Sequence, residues 1–251
     1  MGKHANTIRI HQFIVEQVPT HADDIAKIVQ NVFKISRQAA NAHLSKLEQE
    51  GVLISVGSRQ SKRWSLNELD KFEQIFAVKG LQEDIPWREN ILPLLDTVPN
   101  NVVNICNYGF TEILNNVLDH SESEQVLVKF WCTAGQVSLF IRDYGIGIFK
   151  KIKLALGLPD ELEAIQELAK GKFTTDPKRH SGEGIFFTSR IFDWFTIQSG
   201  SLYFSHTRPD DDWLIETVPD LIGTAVRMAI SRSSTAVLKE LFDKFTIDDE
   251  Y

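Results

Sequence analysis

Glu112–His120, E-I-L-N-N-V-L-D-H, is the stretch from which the rest of the chain is read. Helical spacing sets Glu112 and Asn116 one turn apart on one face, because residues i and i+4 are neighbours. Ile113 and Val117 form a second such pair, turned around the helix and suited to packing on a sheet. A carboxylate beside an amide on a buried helix needs a polar partner, since unpaired burial costs roughly 2–7 kcal/mol. A hydrated metal ion carrying a polyphosphate satisfies both groups. Two glycine motifs follow downstream, D-Y-G-I-G-I at Asp143–Ile148 and S-G-E-G-I at Ser181–Ile185.

Composition places this reading in a globular protein of one large or two modest domains: 251 residues, 43% of them hydrophobic. No apolar run approaches the roughly 20 residues a membrane span requires. The opening residues lack the apolar core of a signal peptide, so the expectation is a cytoplasmic protein without membrane contact. Cys106 and Cys132 are too few for a disulfide framework and read as packing residues in a reducing compartment. The net charge of −7 is unevenly spread. Residues 1–67 carry nine Lys/Arg against five Asp/Glu, and residues 68–251 carry 18 against 29. A basic head on an acidic body suggests two domains with different partners.

In chain order, residues 5–18 have helical apolar spacing through Ile8, Phe13 and Val15 and stop before Pro19. A second helix is expected over about 22–33, with Ile25, Ile28 and Val29 inward. Ser36 opens a third, S-R-Q-A-A-N-A-H-L-S-K-L-E-Q-E-G, with Leu44 and Leu47 on the core side and Gly51 closing it. Two short strands around Gly57–Lys62 make a hairpin with a basic tip. Residues 68–100 read as a connector, its first part, Asn67–Val78, helical and ended by Gly80. After the central helix come strands at Gln125–Thr133 and Gln136–Arg142. A long excursion, Phe149–His180, holds a helix near Pro159–Lys170. A helix follows Ser181–Gly184, then strands at Phe195–Gln198 and Ser201–His206 around Gly200, a last strand from Gly223 and a helix at Ala236–Phe245.

Three helices and a two-stranded hairpin over residues 5–66 resemble a winged helix-turn-helix of the bacterial regulator type. In that family the third helix enters the major groove and the wing meets the backbone. The resemblance implies that Ser36, Arg37, Gln38 and Asn41 face bases, while Arg59, Lys62 and Arg63 meet phosphates. Such domains also serve as dimerisation or protein-docking modules, and a solvated role for the basic residues stands beside the DNA reading.

The order of motifs in the second part is more specific than any one of them. It runs E-x-x-x-N on a helix, D-x-G-x-G after a hairpin, a variable lid, G-x-G opening a helix, and G-T starting a strand. Over roughly residues 100–231 this resembles the GHKL ATPase domain of sensor histidine kinases, type II topoisomerases, mismatch-repair ATPases and anti-sigma-factor serine kinases. The resemblance implies ATP and Mg²⁺ as ligands. Asn116 would bind Mg²⁺, and Glu112 would orient or deprotonate the attacking water or hydroxyl as a general base. Asp143 would accept from the adenine amino group, with Gly145 and Gly147 admitting the nucleotide and Thr224 supporting the adenine. His180, Ser181, Gly182, Glu183, Gly184 and Ile185 would cradle phosphates at a helix N-terminus. Lys172, Lys178 and Arg179 fall in the lid.

The fold class expected is therefore α+β. Residues 1–67 form a winged helix, 68–100 a connector, 101–231 a two-layer GHKL (Bergerat) α/β sandwich and 232–251 a lead-out. No H-E-hydrophobic-R phosphoacceptor and no G-x-x-x-x-G-K-[ST] occur, which argues against an autophosphorylating sensor kinase and a P-loop enzyme. The nearest branch is that of the anti-sigma serine kinases, and in relatives of this layout a STAS-like domain often follows, so both a complete chain and a fragment of a longer protein stand as expectations. The functional expectation is a regulator coupling Mg–ATP binding, with slow hydrolysis or phosphotransfer, to DNA or partner binding. The alternatives are a serine/threonine kinase acting on a STAS-type or sigma-factor-type partner, and a transcription regulator with a non-catalytic ATP-sensing domain.

Overall fold

The computed structural model of the chain describes residues 3–57, 62–169, 184–207 and 212–247. It is a mixed α/β protein with antiparallel sheets, compatible with the α+β class. The chain divides into two compact units, Met1–Asp70 with Cys132–Gly135, and Lys71–Trp131 with Gln136–Tyr251.

In the first unit, helices α1 (Lys3–Gln17), α2 (Ile25–Phe33) and α3 (Arg37–Gln49) precede strands β1 (Leu53–Val56) and β2 (Arg63–Leu66). Their apolar faces close one core of Ile10, Ile14, Val18, Ile25, Val29, Ala40, Leu44, Leu47, Leu53 and Trp64. Helix α1 is rotated from the expected facing: Ile8 is 54% exposed and Ile10 and Ile14 take the core. The spacing of Ile10, Ile14 and Val18 is a strict i+4 series, and it outcompetes the broader stripe through Ile8 and Val15. Ser36 caps α3, its hydroxyl accepting from the Ala39 N–H at 3.1 Å. Strands β1 and β2 pair antiparallel, Leu53 opposite Leu66 and Val56 opposite Arg63.

In the second unit a five-stranded sheet runs in the order β3-β4-β5-β7-β6. Its strands are β3 (Glu68–Ala77), β4 (Gln125–Thr133), β5 (Gln136–Asp143), β6 (Trp194–Thr207) and β7 (Asp212–Ser231). The segment expected as a helix, Asn67–Val78, is thus a strand. Phe72 and Phe76 are four apart and mimic a helical pair, yet Asp70, Phe72 and Phe76 are the half-buried positions, a period of two. Sheet pairing satisfies the backbone, and Val78 donates to the Glu124 carbonyl at 2.9 Å. Short turns follow: α4 (Asp84–Pro86), a π turn at Trp87–Ile91 and a 3₁₀ turn at Leu92–Leu94. They bring Trp87 against Phe110, ring centroids 5.6 Å apart.

The central helix α5 (Asn100–His120) buries Val102, Ile105, Cys106, Phe110, Ile113, Leu114 and Val117. Helices α6 (Ile148–Leu156), α7 (Glu161–Ala169), α8 (Gly184–Ile191) and α9 (Leu238–Ile247) complete the unit. Phe242 of α9 stacks edge-on to Tyr108 and Phe187, each at 5.1 Å. The sequence reading placed α6 inside an undivided excursion, and Gly147 and Gly157 bracket it. It also split β6 at Gly200 and began the last strand at Gly223. Instead β6 and β7 are long and continuous. The pairing steps from Ser199↔Thr224 to Gly200↔Leu221, so β7 absorbs two extra residues as a bulge. That bulge presents Gly223 and Thr224 to the end of β5.

Candidate functional site

Helix α5 supports the site along its length. Glu112 and Asn116 occupy one face, both half-buried. The Asn116 amide donates Nδ2–H to the Glu112 backbone carbonyl at 2.8 Å, which fixes the side chain and turns its oxygen, a hard donor, away from the helix. The Glu112 carboxylate lies against Gly184, the first residue of α8; any side chain at that position would overlap Oε2. Gly184 and Ile185 thus start α8 beside Glu112, as far as the motif is described. His180, Ser181, Gly182 and Glu183 lie outside the described residues, as do the lid cations Lys172, Lys178 and Arg179.

At the other end of α5 the chain turns through Ser121–Ser123, and the loop after β5 docks on that turn. Asp143, 3% exposed, closes β5. Its Oδ1 accepts from the Gly145 N–H at 2.9 Å and the Thr224 N–H at 3.2 Å. Burial lifts the carboxyl above its ordinary value, and the hydrogen bonds from Gly145 and Thr224 pull against that rise without cancelling it. The Thr224 hydroxyl accepts from the Ile148 N–H at 3.0 Å, so one residue of the β7 bulge holds both the acid and the start of α6. Gly147 has φ +87°, where a side chain is strained, and a Cβ there would come within 2.7 Å of Ser199 Oγ.

Four supports of this loop escaped the sequence reading. The Ser121 carbonyl accepts from Ile146 N–H at 2.9 Å, and Ser123 Oγ accepts from Tyr144 N–H at 3.0 Å. Lys151 of α6 donates to the His120 carbonyl at 2.5 Å and pairs with Glu122 at 3.1 Å, holding the end of α5. Ser199 Oγ donates to the Gly223 carbonyl at 2.9 Å. The one local signal was S-E-S directly after a helix, since serines at turns bond the neighbouring backbone. Lys151 and Ser199 carry no such signal.

Among the described residues no group of three or more His, Cys, Asp or Glu side chains could hold a metal ion. The donor set suits Mg²⁺ brought with a phosphate ligand: one amide oxygen and an adjacent carboxylate, for an ion that keeps several of its own waters. A buried acid with one oxygen saturated by protein N–H groups leaves its other oxygen to accept from a ligand amine. The residues present therefore fit a magnesium-bound nucleotide.

In the first unit, Arg37, Gln38 and Asn41 are exposed on α3 beside the Ser36 cap. Lys62 is paired with Glu48 at 3.0 Å and sits over the Trp64 ring at 4.1 Å. Arg63 is paired with Asp23 at 2.9 Å. Arg59 lies outside the described residues. Both cysteines are buried packing residues. No helix among the described residues is long and apolar enough to cross a membrane.

No protein-family profile matches the chain. Over 109 residues it is 26% identical to the sensor histidine kinase GraS of Staphylococcus haemolyticus. Over the same length it is 28% identical to the sensor protein kinase GraS of Staphylococcus aureus. Each match covers 43% of this chain and 30% of the relative, so the chain spans about a third of the length of those proteins. This distant similarity is consistent with a histidine-kinase-like ATPase region in this chain.

Proposed function

We propose that the second unit is a GHKL-type domain that binds Mg–ATP, and that the first is a winged helix whose partner the nucleotide controls. The reading is carried by Asp143, a buried carboxylate with one oxygen held by two backbone N–H groups in a glycine-lined loop. Its free oxygen suits an adenine amino group. From Glu112 to Ser121 the helix axis runs about 13 Å, on the scale of an extended nucleoside triphosphate. Adenine at Asp143 would direct the polyphosphate toward Asn116, Glu112 and the start of α8.

Bound Mg–ATP supplies the γ-phosphoryl group and the ion that neutralises its charge. Asn116 would hold the ion through its amide oxygen, the side chain being fixed by its bond to the Glu112 carbonyl. Glu112 would orient or deprotonate the attacking water or hydroxyl, and the amides opening α8 would face the phosphates. The chemistry is slow phosphoryl transfer governed by positioning and electrostatics. Coupling to the first unit requires that nucleotide favour one of two states. On α3, Ser36, Arg37, Gln38 and Asn41 are the residues to read DNA bases. Lys62 and Arg63 would exchange carboxylates for phosphates on binding.

Calorimetric titration of a non-hydrolysable ATP analogue with Mg²⁺ tests this, on wild type, Asn116→Ala and Asp143→Ala. Saturable binding lost in both variants is expected; no binding by folded wild type overturns the reading. A second reading is transfer to a protein hydroxyl on a STAS-type or sigma-factor-type partner in the cytoplasm; the distant kinase similarity supports its kinase-like, ATP-dependent part alone. Radiolabelled phosphate appearing on such a partner, and lost with Glu112→Ala, would select it.

A further inference from the structure

Strand β3 runs for ten residues along one edge of the five-stranded sheet. An edge strand presents a row of backbone N–H and C=O groups that can pair with another strand, and proteins blunt such edges with charged side chains, proline, a bulge or short length. Here E-L-D-K-F-E-Q-I-F-A contains no proline or glycine. Leu69 is 45% and Ile75 53% exposed.

The backbone restricts how a partner strand can add. Val78 donates its N–H to β4's neighbour Glu124, so its polar groups point into the sheet. Alternation gives the same direction to Phe76, Gln74, Phe72 and Asp70, and turns those of Leu69, Lys71, Glu73, Ile75 and Ala77 outward. Glu73 reaches Lys129 at 2.9 Å, in the register that also sets Val78 opposite Glu124, so no bulge interrupts the alternation between them. In an antiparallel pair of identical edges, outward residues must stand opposite outward residues. A two-fold axis can therefore pass through a residue of β3 but not between two residues.

Charge then selects among those axes. An axis at Lys71 or Glu73 sets a like charge against itself, which is unfavourable across strands. An axis at Asp70 sets that carboxylate against its own copy, and one at Gln74 leaves Lys71 opposite Ala77 and Glu73 opposite Ile75. An axis at Phe72 places Lys71 opposite Glu73 of the second copy, Glu73 opposite its Lys71, and each exposed Leu69 opposite an exposed Ile75. We propose that two copies of this chain associate through β3 about a two-fold axis at Phe72, joining their sheets edge to edge. The association does not depend on the nucleotide reading.

Sedimentation velocity on the full chain across micromolar concentrations tests this, with far-UV circular dichroism confirming that each variant is folded. Wild type is expected to dimerise. Lys71→Glu turns both opposed pairs repulsive and should weaken the dimer at least about tenfold. Ile75→Pro removes an outward N–H, a position where an edge strand tolerates proline, and should abolish association. Glu73→Lys alone should also weaken it, and mixing the Lys71→Glu and Glu73→Lys proteins should restore a dimer, because each opposed pair again joins opposite charges. A monomeric wild type, a dimer unmoved by Lys71→Glu and Ile75→Pro, or no recovery on mixing would overturn the proposal.

Discussion

Replacing Gly145 by alanine tests the loop that carries Asp143. An added Cβ would overlap the Ser121 carbonyl oxygen and lie 2.7 Å from its carbon and 3.1 Å from Ser123 N. All three obstacles are backbone, so no side chain can rotate aside, and the loop must retreat. Retreat breaks the Ile146 N–H bond to Ser121 and stretches the Gly145 N–H bond to Asp143, both 2.9 Å. Two net hydrogen bonds at about 0.5–1.5 kcal/mol each, with one buried carboxylate oxygen left short of a donor, come to about 2–4 kcal/mol. Urea unfolding followed by tryptophan fluorescence measures this. Gly157→Ala is the control: its added Cβ meets nothing within 4 Å but its φ is +65°, so the backbone cost alone is about 1 kcal/mol. Gly145→Ala unfolding within about 0.5 kcal/mol of wild type would refute the docking of this loop as a steric requirement.

Asp143→Asn keeps an oxygen for both N–H donors and removes the charge. Because the folded-state pKa of Asp143 is raised, its contribution to stability is full below the unfolded value of 3.8 and is lost as pH rises through the folded value. The substitution should therefore stabilise the ligand-free protein at neutral pH by about 1 kcal/mol while abolishing nucleotide binding, checked by thermal melting and calorimetry. His11 and His43 touch at 3.2 Å; burial lowers both first, then the His43 charge and Lys46 lower His11 against an opposing pull from Glu50, and Lys46 lowers His43. A lowered histidine contributes stability above its unfolded value of 6.5 that is lost as pH falls below it. Acidification through that range should destabilise the first unit, and His43→Gln should flatten the pH dependence of its melting. Ser36→Ala removes the α3 cap and should cost about 1 kcal/mol in urea unfolding.

The sequence by itself carried the helix with Glu112 and Asn116, because one amphipathic turn repeated over α5 places both on one face whatever surrounds it. It also carried α3 with its serine cap, and the acid and glycines of the loop after β5, since capping and turn formation are decided within a few residues. What it left open depended on partners distant in the chain. Asn67–Val78 carries patterns that suit a helix or a strand, and only pairing with β4 makes it β3. Gly200 reads locally as a turn; the bulge on β7 lets β6 run through it and delivers Thr224 to Asp143. The supports at Lys151 and Ser199 were equally illegible. Tertiary structure decided them because a hydrogen bond across dozens of residues leaves no periodicity in the sequence, only a geometry that appears when both segments are packed.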